Sequence, residues 1–153
     1  MTVTPTSLTR AAGISAAVAG LLFIAVQINH PAMDVSSVTT TEWVVRQTAK
    51  TVMAVAALAG ITGMYLRQIK QIGVLGLLGY DVLSAGYLLI GSTAFVSAYV
   101  LPSLADTAPG YVNDVLAEAT NGSATGDIGL LQTVIQVQGF AYLAGGLVFG
   151  IAL

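Results

Sequence analysis

Ionisable and amide side chains occupy a few positions of an otherwise apolar chain, and their spacing indicates where chemistry could occur. Asp81 lies within a long apolar segment, where an ionised carboxylate costs several kcal/mol unless it is paired, hydrated or protonated. Arg46 and Lys50 are four residues apart and therefore share one helix face. His30 is the only histidine and follows Gln27 by about one helical turn. These side chains could bind a polar or anionic ligand, or conduct protons or ions.

Two glutamines in the last apolar segment complete this candidate site. Its members are Gln27, His30, Arg46, Lys50, Asp81, Gln132 and Gln136. We expect them to converge on one end of a helical bundle, with Asp81 deepest and Lys50 within reach of it. In the alternative interpretation the set is structural: the basic side chains extend to the membrane surface, the glutamines hydrogen-bond between helices, and Asp81 is paired. We give the two interpretations equal weight.

The residue types exclude several kinds of site. The chain has no cysteine and one histidine, so it can form neither a thiolate metal site nor a bis-histidine haem site. It contains no H-E-x-x-H, G-x-x-x-x-G-K or G-x-S-x-G motif. A net charge of -2 with five basic residues gives no electrostatic footprint for nucleic acid. We therefore predict no enzymatic activity, metal, cofactor or nucleic-acid partner.

The composition places the chain in a membrane. It is 56% hydrophobic and 8% charged, with a mean hydropathy of +0.85, whereas soluble domains average about 25% charged residues. Segments 9–30, 43–66, 72–100 and 130–153 each reach the roughly 20 residues needed to cross a bilayer. They predict an all-α fold, an integral membrane bundle of four transmembrane helices that forms a single domain over residues 1–153 in the cell membrane.

The long connection between the third and fourth segments, residues 103–129, contains a further helical pattern. Val112, Val115, Leu116 and Ala119 recur at helical spacing, with polar residues between them. This pattern predicts a short amphipathic helix that lies over one end of the bundle.

The distribution of basic residues predicts the orientation of the chain. Arg10 lies at the start of the first segment, and Arg67 and Lys70 lie in the short connection between the second and third segments. These places lie on the same side of the membrane, and short basic connections are typically cytoplasmic. We therefore predict a cytoplasmic N-terminus. Arg46 and Lys50 lie near the opposite side and do not fit this pattern.

Small residues four positions apart predict where the helices pack, because close contact in lipid depends on them. Such positions are Ala16 and Gly20 in the first segment; Ala56, Ala59, Gly60 and Gly63 in the second; Gly73, Gly76 and Gly79 in the third; and Gly146 and Gly150 in the fourth. In the fourth segment the stripe of Gln132, Gln136, Gly139, Leu143, Gly146 and Gly150 is predicted to face protein.

Three stretches of the chain carry a resemblance to a known family. They are residues 10–13 (Arg-Ala-Ala-Gly), the basic turn at 67–70, and residues 142–146 (Tyr-Leu-Ala-Gly-Gly). In the order of these features the chain resembles a family of small bacterial, mainly actinobacterial, multi-pass membrane proteins of unknown function. The resemblance implies no activity, cofactor or catalytic residue. Proteins of that layout usually continue through two further helices, which implies that the native chain extends past Leu153 or lacks this pair.

Three functions follow as hypotheses from these patterns. The first is a non-enzymatic helical bundle that binds a small ligand or supports a larger membrane complex, in which the chain could also be a homo-oligomer. The second is a small transporter or proton-coupled carrier that uses Asp81 and Lys50. The third is an intramembrane enzyme, which no motif favours. In each case the bilayer is a partner of the chain.

Overall fold

The computed structural model describes residues 4–120 and 122–153, and the regular secondary structure of this part of the chain is helical. The helices are α1 Pro5–Gln27, α2 Val35–Val38, α3 Thr41–Gln68, α4 Gly73–Tyr99, α5 Leu101–Leu104, α6 Pro109–Ala119 and α7 Leu130–Ala152. The short helix predicted within residues 103–129 is α6.

Four of these helices, α1, α3, α4 and α7, are long and apolar enough to span a membrane. Each overlaps one predicted segment, so the prediction of four helices of this length is confirmed. In their most apolar stretches, the fraction of residues buried inside the chain ranges from 11% in α1 to 28% in α3. Most of their apolar side chains therefore face outward, which suits surroundings of lipid.

The long helices pack side by side in the order α1, α3, α4, α7, and within the described residues α1 and α7 do not pack along each other. The row is curved, because Ala19 of α1 and Tyr142 of α7 line the same cavity. At the α1–α3 crossing, a Cβ added to Gly60 would lie 2.9 Å from the Cα of Ala16. The small residues predicted in these two helices thus meet at a close helix contact.

The crossing of α4 with α7 is equally close. A Cβ added to Gly86 would lie 2.7 Å from the backbone nitrogen of Tyr142, and one added to Gly145 would overlap the backbone of Leu83. Because the obstacles are backbone atoms, a larger residue at either glycine would force the two helices apart.

The predicted packing face of α7 is wrong along most of its length. Leu143 is 70% exposed, and a Cβ on Gly150 would stand in open space. The face that packs on α4 contains Gly145 and Phe149 instead. Both sides of α7 are apolar, so a stripe of glycines does not by itself identify the side that contacts protein.

One end of the long helices is closed by a compact region that we call the cap. It consists of α2, α5 and α6 with the adjoining ends of α3, α4 and α7, and its core residues are Val38, Trp43, Leu101, Val112, Val115, Leu116, Ile128 and Ile135. Trp43 is fully buried and donates its indole N–H to the backbone carbonyl of Ser97 at 2.9 Å. The cap thus fixes the end of α3 against the end of α4.

Candidate functional site

Four of the predicted site residues, Gln27, His30, Arg46 and Lys50, lie at the cap end of α1 and α3. Lys50 Nζ is 3.0 Å from His30 Nε2, and His30 Nδ1 is 2.9 Å from the carbonyl oxygen of Pro31. A carbonyl oxygen can only accept, so Nδ1 carries the proton and Nε2 accepts a hydrogen bond from Lys50. The structure therefore places the Lys50 side-chain nitrogen beside a ring nitrogen that can accept its hydrogen bond.

Arg46 is held by its own neighbours. Its guanidinium forms an ion pair with Glu42 at 2.8 Å and donates to the backbone carbonyls of Val26 at 3.3 Å and Ile28 at 2.7 Å. These carbonyls are at the C-terminal end of α1, where acceptors lack partners within the helix and the helix dipole favours a cation. Arg46 therefore fastens the end of α1 to α3.

Gln132 and Gln136 bind Glu118 of α6. Their side-chain amides donate to its carboxylate at 3.3 and 2.8 Å, and the backbone N–H of Ala124 donates at 3.4 Å. Glu118 is one of the polar residues between the apolar positions of the predicted amphipathic helix, where exposure to solvent is expected, whereas the structure buries it to 9% exposure. In the sequence, two glutamines on one face of α7 are the signal that could have predicted a shared polar partner on a neighbouring helix.

Asp81 does not join the other predicted residues. It is exposed on the outer side of α4 with Ser92, and within the described residues it forms no ion pair. A pairing of Asp81 with Lys50, which their expected proximity would allow, is therefore not formed among the described residues. α4 turns Leu83 and Gly86 toward its neighbours, and Asp81 lies about 200° and 140° from these positions around the helix.

A cavity of about 470 Å³, which we call the central cleft, lies on the concave side of the row of long helices. Its lining residues are Ala16, Ala19, Gly20, Phe23, Val26, Gln27, Lys50, Met53, Ala57, Ile61, Met64, Tyr87, Ile90 and Tyr142. Most of them are apolar or small. The cleft extends along α3 from Lys50 at the cap end to Met64, a length of about 21 Å at 1.5 Å per residue.

Tyr87 and Tyr142 form the wall of the central cleft on the side of α4 and α7. Their rings meet edge to face, with centroids 5.5 Å apart and planes at 83°, which is a favourable aromatic geometry. Neither tyrosine belongs to the site predicted from sequence. Within an apolar segment, an aromatic residue that lines a cavity has the same signature as one that faces lipid.

A second cavity of about 210 Å³ lies beside the cap core, and Lys50 lines this cavity as well as the central cleft. Its walls are more polar: Gln47 is buried there, and Thr93 donates to the side-chain oxygen of Gln138 at 2.7 Å. Lys50 thus lies where an apolar cleft meets a polar cavity.

Two carboxylates of the cap have structural partners. Asp114 of α6 accepts hydrogen bonds from the backbone N–H and hydroxyl of Thr125 at 2.7 and 2.9 Å, and these bonds lower the pKa of Asp114. Asp34 accepts from the hydroxyl of Ser36 and the backbone N–H of Ser37, which lowers the pKa of Asp34. Within residues 4–120 and 122–153, no three His, Asp or Glu side chains cluster closely enough to hold a metal ion.

Comparison with protein-family models, curated proteins and solved structures finds no match for the chain. The resemblance to a family of actinobacterial membrane proteins stays a prediction.

Proposed function

We propose that this chain is a non-enzymatic, multi-pass membrane protein that binds a small lipophilic molecule in the central cleft. The observation that carries this proposal is the cleft itself. Its volume of about 470 Å³ lies within the range of about 300–1,000 Å³ that is typical of small-molecule sites. The four long helices all contribute to its wall, so the site belongs to the part of the chain that we place in the bilayer.

The lining and the helix order both favour a lipophilic ligand. Residues such as Phe23, Met53 and Ile61 offer apolar contacts and few hydrogen bonds. Since α1 and α7 do not pack along each other in the described chain, the cleft lies behind the gap between them. A ligand dissolved in the bilayer would enter through this gap without crossing water.

In the proposed orientation the N-terminus is cytoplasmic and the cap is on the opposite side of the membrane. Arg67 and Lys70 lie at the end of α3 remote from the cap, and the basic Arg46, which did not fit the pattern, is paired with Glu42. Because the chain has no cysteine, single-cysteine variants test this directly. An impermeant maleimide added to intact cells should label Thr107→Cys in the cap and leave Lys70→Cys unlabelled; the reverse result would contradict the orientation.

A role in supporting a larger membrane complex is the second candidate, and one observation favours it. Asp81 lies exposed among exposed apolar side chains of α4, such as Leu78 and Leu88. A carboxylate on such a face is costly in lipid and is stabilised by a polar or basic partner helix. A carrier that passes protons between Asp81 and Lys50 has less support, because the structure keeps these residues apart.

Photolabelling tests ligand binding in the central cleft. The full chain would be placed in bilayer nanodiscs and labelled with a diazirine derivative of hexadecanol, a neutral single-chain probe. We expect saturable labelling of residues that line the cleft. Ala57→Leu, which fills the cleft, should abolish the saturable component, whereas Ala59→Leu on the exposed side of α3 should preserve it. Equal, non-saturable labelling of both variants and the unmodified chain would contradict the proposal.

A further inference from the structure

The cap end of the central cleft contains a cation, Lys50, that has no anionic partner among the described residues. Lys50 is half-buried, and among the described residues the only ion pair joins Arg46 to Glu42. Removing an ammonium group from water is unfavourable unless an anion or several acceptors compensate it. The Lys50 site is therefore electrostatically incomplete in the chain alone.

The hydrogen bonds around Lys50 show how much of its donor capacity remains. An ammonium group has three N–H donors, and His30 Nε2 is the one acceptor within hydrogen-bond distance in the described chain. Since Nδ1 of His30 bonds the carbonyl oxygen of Pro31, Nε2 is the ring nitrogen that is left to accept from Lys50. Two donors of Lys50 remain for a ligand.

Arg46 lies on the same helix face as Lys50, and its partners can be compared with those of Lys50. It is one turn from Lys50, but its guanidinium already binds a carboxylate and two backbone carbonyls. Its charge is satisfied within the protein, and it fastens α1 to α3. Lys50, in contrast, faces a cavity on both sides. An anion that enters the cleft would therefore be bound by Lys50.

The shape of the cleft connects this cation to an apolar channel. From Lys50 the lining continues along α3 through Met53, Ala57 and Ile61 to Met64, about 21 Å away. A head group at Lys50 would therefore leave an extended hydrocarbon chain lying along these side chains. The more polar second cavity, with Gln47 and Gln138, would surround the head group on its other side.

We infer that the ligand of the central cleft is an anionic amphiphile, with a carboxylate or phosphate head group bound by Lys50 and a single hydrocarbon chain along α3. This inference rests on the proposed function, since it names the class of molecule that the cleft binds. A free fatty acid and a phosphate-bearing lipid share this chemistry.

Three probes with the same chain length test the inference: palmitate, hexadecyl phosphate and uncharged hexadecanol. Each would compete with the hexadecanol photolabel for the full chain in nanodiscs of zwitterionic lipid, at a pH at which both acids are ionised. At least one acid should displace the label at a concentration about tenfold or more below that of hexadecanol. Preference for palmitate would identify a carboxylate ligand, and preference for hexadecyl phosphate a phosphate ligand.

Variants of Lys50 assign the preference to this residue. Lys50→Gln should bind the three probes equally, while Lys50→Arg, which keeps the charge, should retain a preference for the acid. Equal displacement by acids and alcohol in the unmodified chain, or a preference that persists in Lys50→Gln, would overturn the inference and leave the proposed function intact. Absence of saturable labelling by the alcohol in the unmodified chain would overturn the proposed function. If Lys50→Gln does not fold, the comparison of acids with alcohol in the unmodified chain still decides.

Discussion

The cap and the long helices are stabilised in different ways. In the cap, Val38, Trp43 and Val112 are fully buried and belong to one continuous apolar core. Along the long helices, glycine contacts such as the approach of Gly60 to Ala16 and small buried clusters such as the one around Leu83 and Phe149 hold neighbouring helices together, and a cavity of about 470 Å³ remains between the helices.

The two regions suit different solvents: water for the cap and lipid for the long helices. Water drives apolar side chains together, so the cap closes around Trp43. Lipid tails are as apolar as leucine, so no such force closes a gap between helices in a bilayer. A cleft can therefore persist among the long helices provided that the glycine contacts and the cap hold them in place.

Truncation of one large side chain in each region should give the largest difference in stability between the two regions. Trp43→Ala should destabilise the protein by about 3–5 kcal/mol, as is typical of a deleted core aromatic, and it also removes the hydrogen bond to Ser97. Met53→Ala should cost clearly less, because Met53 already borders the central cleft and its loss enlarges an existing cavity. Thermal unfolding of both variants in detergent measures the difference.

Trp43→Phe is the matched control for the cap, since it keeps an aromatic ring and should cost less than Trp43→Ala. An equal loss of stability in Met53→Ala and Trp43→Ala would show that the central cleft is as tightly packed as the cap, and the contrast between the two regions would then disappear.

Two adjacent glycines of α7 test the glycine contacts that hold the long helices together. Gly145→Ala places a methyl group against the backbone of Leu83 and should cost about 1–3 kcal/mol, the range for overpacking. Gly146→Ala should be close to neutral, because the nearest atom to its new Cβ would be a flexible Leu83 methyl group at 3.9 Å. Thermal unfolding in detergent would again be compared, and a larger loss for Gly146→Ala would show that α7 packs through its other face.

The same region shows what the sequence predicts and what it does not. The four long helices follow from local hydropathy and length, and α6 follows from the helical spacing of Val112, Val115 and Leu116. The inward face of α7 does not follow, because Leu143, on the exposed side, and Gly145, on the packed side, are equally compatible with lipid and with protein. Hydropathy has no helical period when both sides of a helix are apolar.

The sequence predicts only part of the candidate site. The rest depends, as on α7, on which side of a helix faces the protein. His30 and Lys50 lie near helix ends, and their positions along the membrane normal follow from sequence, so their proximity could be expected. The pairing of Asp81 depends on how α4 is rotated about its axis, which is set by Gly86 and Tyr142 at the crossing with α7. Contacts of this kind depend on backbone fit between distant segments.

Acidification should weaken one contact of the cap. The hydrogen bonds from Thr125 lower the pKa of Asp114 in the folded chain, so its ionised form stabilises the fold above the unfolded-state pKa of about 3.9, and this contribution is lost as the pH falls through the folded-state pKa. Asp114→Asn lacks the contribution at every pH. The difference in melting temperature between the unmodified chain and Asp114→Asn should therefore be largest near neutral pH and should decrease in acid.

Asp106→Asn, at an exposed position of the same cap, is the control and should show a smaller difference. A difference for Asp114→Asn that does not change with pH would contradict the prediction.

The smallest effect on stability is expected at Asp81, although its charge is the least compatible with a bilayer. In the described chain its side chain has no ion pair and is exposed on α4, so Asp81→Asn removes no ion pair among the described residues and should leave the unfolding temperature of the detergent-solubilised monomer unchanged. The same variant should also label with the neutral photoprobe like the unmodified chain, because Asp81 does not line the central cleft.

If Asp81→Asn instead lowers stability only at protein concentrations at which the chain associates, Asp81 acts between chains. The outer side of α4 would then be a packed interface, and the contrast of a packed cap with loosely packed long helices would hold for the single chain alone.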